Sequence, residues 1–228
     1  MIAAGKLDLS AVSSVEYAQH AGHYLLLPGL GLSSRGPVAS VLLLSREPMA
    51  AWAGREIEAP FESDTSVALL RLLLRRRWDM DCAISTEGEA TDPAAVLRIG
   101  NRALAEAASG SWPRAWDLGM AWWEWIGLPF VYALWVVREE AACQREEEVA
   151  ALHRALLAAR DLGVADRRGC AQEAAGLLGG EPAFYQGYFA GLGYGLGQDE
   201  LQGLGRFFAM LAEEGLLAEA PSPRFLGD

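Results

Sequence analysis

Short apolar runs dominate the front of the chain. Residues 7–12, 24–28 and 38–45 are brief, rich in Leu and Val, and bounded by Gly, Ser or Pro. That is the pattern of buried strands separated by turns. Residues 29–37 carry two Gly, two Ser, a further Gly and Pro37 and read as a turn, while 15–21 hold one or two helical turns. Residues 56–60 predict another strand. The polar Glu62-Ser63-Asp64-Thr65-Ser66 follows it, and then the apolar 67–74 with Arg71 and Arg75 to Arg77. Strand, hydroxyl-rich loop and helix in that order mark the carboxyl end of a strand in an α/β sheet, where ligands usually sit. Residues 92–99, followed by Gly100-Asn101, and the β-branched and aromatic 130–137 predict further strands. From Glu139 onward the period is helical, over 146–159, 170–178, 185–192 and 199–214. Strands in front and helices behind predict an α/β fold with a helical C-terminal part.

Composition narrows the function. The chain has 228 residues, 52% of them hydrophobic and 21% charged, which is too apolar for disorder. No window approaches the roughly 20 uninterrupted apolar residues of a membrane helix. The best stretch, 126–137, is short and contains Pro129, so no membrane partner is expected. A net charge of −11 and a pI near 4.8 argue against sequence-independent nucleic-acid binding, which needs a basic surface. An anionic substrate must then be held by local donors. The length suits one large or two small domains. Cys82, Cys143 and Cys170 are odd in number and far apart, so neither a disulfide framework nor a zinc site is expected, and they read as reduced thiols. The first residues lack the basic start and apolar stretch of a secretory signal, which predicts a cytoplasmic location.

The clearest local chemistry is Ser63-Asp64-Thr65-Ser66 at a helix start, where unpaired N–H groups, the helix dipole and several hydroxyls converge. Such a place suits a carboxylate. Plain N-capping by Ser63 or Asp64 is the competing explanation, and spacing alone does not separate the two. Ser13-Ser14 and Ser33-Ser34 lie at two more strand-to-loop junctions. If all three loops share one cleft, they line a pocket for a small polar acid. Histidine is scarce, at His20, His23 and His153, and no Gly-x-Ser-x-Gly elbow is present, so a serine-hydrolase triad is not expected. Carboxylates fall in surface-like runs such as Glu146-Glu147-Glu148, and no metal is expected. The glycines from Gly191 to Gly197 do not fit Gly-x-Gly-x-x-Gly and read as helix termination. Five of the eight Trp lie between Trp116 and Trp135, a density that predicts packing at a junction between structural units, and Asp117 is placed to cap the following helix.

Asp117-Leu118-Gly119, Trp122 or Trp123, and residues 127–135 together resemble chorismate dehydratase, an enzyme family of the futalosine route to menaquinone. Residues 5–17, 33–41, 63–67, 99–104 and 194–200 extend the resemblance over essentially the whole chain. It implies a two-lobed fold like the type 2 periplasmic binding proteins, with two hinge-crossing strands and the ligand in the cleft. On this chain, Val38 to Ser45 is the expected outgoing hinge strand and Val131 to Val137 the returning one. Lobe one would comprise residues 1–45 and roughly 136–228, and lobe two residues 46–135. The reaction implied is dehydration of chorismate, a dicarboxylate, to 3-[(1-carboxyvinyl)oxy]benzoate without metal or organic cofactor. Ser13, Ser14, Ser33, Ser34, Ser63, Thr65, Ser66 and Asn101 form the expected substrate-binding set. Loss of water makes the ring aromatic, so a positioned weak base in a dry cleft suffices.

Two departures accompany the resemblance. Asn101 stands where the family usually has Asp. The family also begins several dozen residues earlier, with a strand and a Tyr-Leu-Asn-like loop whose asparagine is the expected catalytic group, so this chain is expected to fold poorly or to bind without turnover. The related 1,4-dihydroxy-6-naphthoate synthases share the fold but are thought to use a histidine in lobe two, where this chain has none. A non-catalytic small-anion-binding protein is the rival from another class. Arg35 is expected to face water.

Overall fold

A computed structural model describes residues 2–61 and 64–227. The chain divides into two compact units, one of residues 1–34 and 131–228, the other of residues 35–130. The structure is of the mixed α/β kind expected.

The first unit opens with β1 (Leu9–Ser13) and α1 (Ser14–Gln19), followed by β2 (Tyr24–Ser34). β2 is longer than its sequence predicts, running on through the glycines and Ser33-Ser34 that read as a turn. Gly29, at φ +75°, absorbs the irregularity that Pro28 imposes without ending the strand. Strand β8 (Phe130–Arg138) lies between β1 and β2, and a two-residue strand β9 (Leu192–Gly193) pairs with the end of β2, giving the order β1-β8-β2-β9. Helix α5 (Glu139–Gln144), which no predicted span covers, comes next, and α6 (Glu146–Ala165), α7 (Arg167–Leu178), α8 (Pro182–Gly191) and α9 (Gln198–Glu213) follow as their periodicity predicts. Leu27, Leu30, Val137, Ala142 and Val149 form one core cluster. Tyr17 of α1 stacks on Phe208 of α9 with ring centroids 6.3 Å apart.

The second unit holds β3 (Val41–Ser45), β4 (Glu56–Ala59), β5 (Ala83–Thr86), β6 (Ala95–Ile99) and β7 (Arg114–Asp117), arranged β5-β4-β6-β3-β7. Its helices are α2 (Asp64–Leu72), which runs on as a π-helical turn over Leu73–Arg77, α3 (Gly100–Ala108) and α4 (Leu118–Ile126). β4 is parallel to both β5 and β6, whereas β3 is antiparallel to β6 and β7. All five residues of β3 are buried, which explains the unbroken Val-Leu-Leu-Leu run of an interior strand.

The position of β3 corrects the expected hinge. Its hydrogen-bond partners are Ile99 to Val96 on one side and Asp117 to Arg114 on the other, so residues 41–45 belong to the second unit. The chain leaves the first unit after Ser34, at the end of β2, and returns at Val131 rather than near residue 136. Trp116 meets Trp52 edge-on at 4.8 Å, and Trp122 meets Phe130 at 5.3 Å.

Candidate functional site

In the first unit the two serine pairs come together around the start of β8. Ser13 lies opposite Ala133 in the β1–β8 ladder, and its hydroxyl caps α1 by accepting from Glu16 N–H at 3.1 Å. Ser14 is fully buried and donates to the Val131 carbonyl at 2.7 Å. Its hydrogen is spent on the backbone, so only its lone pairs remain for a ligand. On the other flank, the buried Ser34 hydroxyl shares a 2.9 Å hydrogen bond with the Tyr132 hydroxyl. Ser33, also buried, is paired with Gly193 across the β2–β9 ladder. The carboxyl ends of β1 and β2 thus bring four hydroxyls to residues 131–133 or beside them. Tyr132 escaped the sequence reading because an aromatic residue inside an apolar strand carries no local sign of a polar role.

In the second unit two helices start beyond the carboxyl ends of adjacent parallel strands. Ile57 and Glu58 of β4 lie beside Ala95 and Val96 of β6, α2 follows β4, and α3 follows β6 directly. Thr65 and Ser66 are buried in the first turn of α2. Asn101 is exposed in the first turn of α3, where Ile99 provides no side-chain cap. Ser63 lies outside the described residues. Arg35 is exposed.

The loop preceding β3 is held by Asp117. Its carboxylate caps α4 by accepting from Met120 N–H at 3.0 Å, as its place in sequence predicts. It also accepts from Val38 N–H and from Ala39 N–H, the latter at 2.6 Å. Ala39 adopts φ +59°, a left-handed conformation that costs a residue with a side chain about 1–2 kcal/mol. Charge-assisted hydrogen bonds to Asp117 hold it there. Ser40, the next residue, accepts from Gly100 N–H at 2.7 Å, joining this loop to the start of α3.

Beneath that region, the buried Arg98 of β6 donates to Glu58 of β4 and to Glu106 of α3, both at 2.9 Å. Glu106 also receives Arg102 and the Trp112 indole. Burial pushes the Glu106 carboxyl upward. Hydrogen bonding from Arg102, the charge and hydrogen bond of Arg98, and Trp112 outweigh it and hold the group below the usual range.

His20 and His23 line one cavity of the first unit with Glu139 and Glu140, and His153 lies apart from them on α6. His20 contacts the Glu16 carbonyl at 3.1 Å and His153 the Pro28 carbonyl at 2.9 Å. Cys82, Cys143 and Cys170 are free thiols. Among the described residues no helix is long and apolar enough to cross a membrane.

A family model for menaquinone biosynthesis matches residues 1–213. A chorismate dehydratase of Thermus thermophilus is 31% identical over 232 aligned positions, covering 91% of this chain and 80% of that protein. Among solved structures, an Archaeoglobus fulgidus protein superposes with a TM-score of 0.68 at 18% identity, covering 95% of this chain and 82% of its own. The periplasmic aliphatic sulphonate binding protein SsuA of Escherichia coli superposes with a TM-score of 0.63 at 15% identity, over 99% of this chain and 79% of that one. The fold is that of the periplasmic binding proteins.

Proposed function

The chain belongs to the menaquinone biosynthesis family, and we propose that it is a hydro-lyase that converts chorismate to 3-[(1-carboxyvinyl)oxy]benzoate and water. The observation that carries this reading is the 31% identity to a chorismate dehydratase along nearly the whole chain. The reaction removes a ring hydrogen as a proton and the ring hydroxyl as water, and the electrons of the broken C–H bond complete the aromatic ring. Aromatisation supplies the driving force. The protein's task is to hold the ring, take the proton and keep competing water away.

What supports the reading within each unit is the gathering of hydroxyls and helix starts at the carboxyl ends of strands. The starts of α2 and α3, with Thr65, Ser66, Asn101 and the sequence-assigned Ser63, offer N–H groups, hydroxyls and helix dipoles that suit a carboxylate. In the first unit Ser13 and Ser33 are the better donors of the serine group, because Ser14 is committed to Val131 and Ser34 shares a hydrogen with Tyr132. The substrate class is therefore a small dicarboxylate. No metal, organic cofactor, nucleic acid or membrane enters the scheme. The cytoplasm is the proposed location, on the strength of the family's biosynthetic role.

The test is to incubate chorismate with this chain, and with the chain extended by the reading frame preceding Met1, and to follow the aromatic enol ether by chromatography. Product above the protein-free rate from either form is the expected result. Folded protein that yields none from both forms overturns the dehydratase reading.

A further inference from the structure

The first unit contains a cavity of about 360 Å³, formed by one side of β2 and β8 with α6, α7 and α8. Its walls are Leu30, Trp135, Leu156, Val164, Phe189 and Tyr194. None of the serines of the candidate substrate site lines it. Two arginines do, and they differ in how they are satisfied. Arg160 donates from Nη1 to the Gly29 carbonyl at 2.7 Å and from Nε and Nη2 to Asp161. Arg167, at the first turn of α7, has a buried Nε–H without a hydrogen-bond partner among the described residues. The neighbouring Asp166 caps α7 by accepting from Gly169 N–H at 2.9 Å.

A guanidinium N–H buried against apolar walls costs free energy unless an acceptor meets it. Burial raises the Tyr194 hydroxyl above its ordinary range, Tyr188 adds to that, and the charge of Arg167 pulls the other way. Aromatic walls with one fixed, planar cationic donor match a molecule with an apolar ring at one end and a carboxylate at the other.

The geometry points to a binding site for a small amphipathic monocarboxylate in this cavity, with the carboxylate on Arg167 and the ring against Trp135, Phe189 and Tyr194. The site is independent of the dehydratase reading and shares no residue with it, so either can fail alone.

Calorimetric titration with 4-phenylbutyrate, and with its neutral counterpart 4-phenylbutyramide, tests the assignment. The acid is expected to bind measurably and the amide at least about tenfold more weakly, the difference a charge-assisted hydrogen bond makes. Arg167→Gln is expected to erase that difference. Gly163→Leu fills the space from α6, where a Cβ would meet nothing within 4 Å, and should abolish binding of both while favouring the helix. Circular dichroism of each variant shows that the fold is kept. No binding of the acid to the wild-type protein, equal binding of acid and amide, or acid binding unchanged in both variants overturns the proposal.

Discussion

Gly193 faces Ser33 so closely that a Cβ built on it would stand 2.6 Å from the Ser33 hydroxyl oxygen. Only glycine leaves that hydroxyl where it is. Gly193→Ala is therefore expected to rotate Ser33 into another rotamer and, on the proposed function, to weaken chorismate binding several-fold with only a small fall in melting temperature. In a Ser33→Ala background the same change should add little, and titration of the two single variants and the double variant checks this. Asp117 is the other residue on which a whole loop depends. Asp117→Ala leaves the N–H groups of Val38, Ala39 and Met120 without their acceptor, at an expected cost of roughly 2–4 kcal/mol. Asp117→Asn keeps one oxygen and should recover part of it. Urea denaturation of both variants measures the difference, and equal stability for Asp117→Ala and wild type would refute the role.

At the scale of elements, Arg98 ties β4, β6 and α3 through Glu58 and Glu106. Removing it leaves partly buried carboxylates facing one another, so Arg98→Ala is expected to destabilise by about 3–5 kcal/mol. The cluster also predicts a pH dependence. The folded-state pKa of Glu106 lies below its ordinary value, so its stabilisation is fully present above that ordinary value. It is lost as pH falls through the depressed folded value. Urea midpoints measured from pH 6 to pH 3 should converge for wild type and Glu106→Gln at the acid end, with wild type the more stable at pH 6. These charges were hard to recognise in sequence. Glu58 and Arg98 are 40 residues apart, and their meeting depends on β4 lying beside β6, which no local pattern specifies.

For the whole molecule, the two units differ in how their chain is supplied. Residues 35–130 are continuous and carry a five-stranded sheet with its own core, including Leu42, Leu44, Val96 and Ala103. That segment is expected to fold alone with a cooperative thermal transition. A fragment lacking such a transition would show that its core needs the rest of the chain. The first unit is assembled from two separated segments, because β8, which returns to it at Val131, lies between β1 and β2.

The sequence by itself determined the helices from residue 146 onward, the strands around residues 9–13, 56–59 and 95–99, the cap at Asp117 and the acidic character of the chain. Each of these rests on spacing or composition within a few residues. Tertiary structure alone decided the extension of β2 through its glycines and the interior place of β3 between β6 and β7. It alone brought Ser13, Ser14 and Ser34 to the start of β8 and set the Arg98 cluster. It also left Arg167 with an unanswered N–H in an apolar cavity. The physical reason is common to all of these. Hydrophobic periodicity specifies which face of an element is buried, whereas the choice of neighbour depends on pairing across long sequence separations, and it is the neighbour that decides whether a hydroxyl or a charge is satisfied by the protein or remains for a ligand.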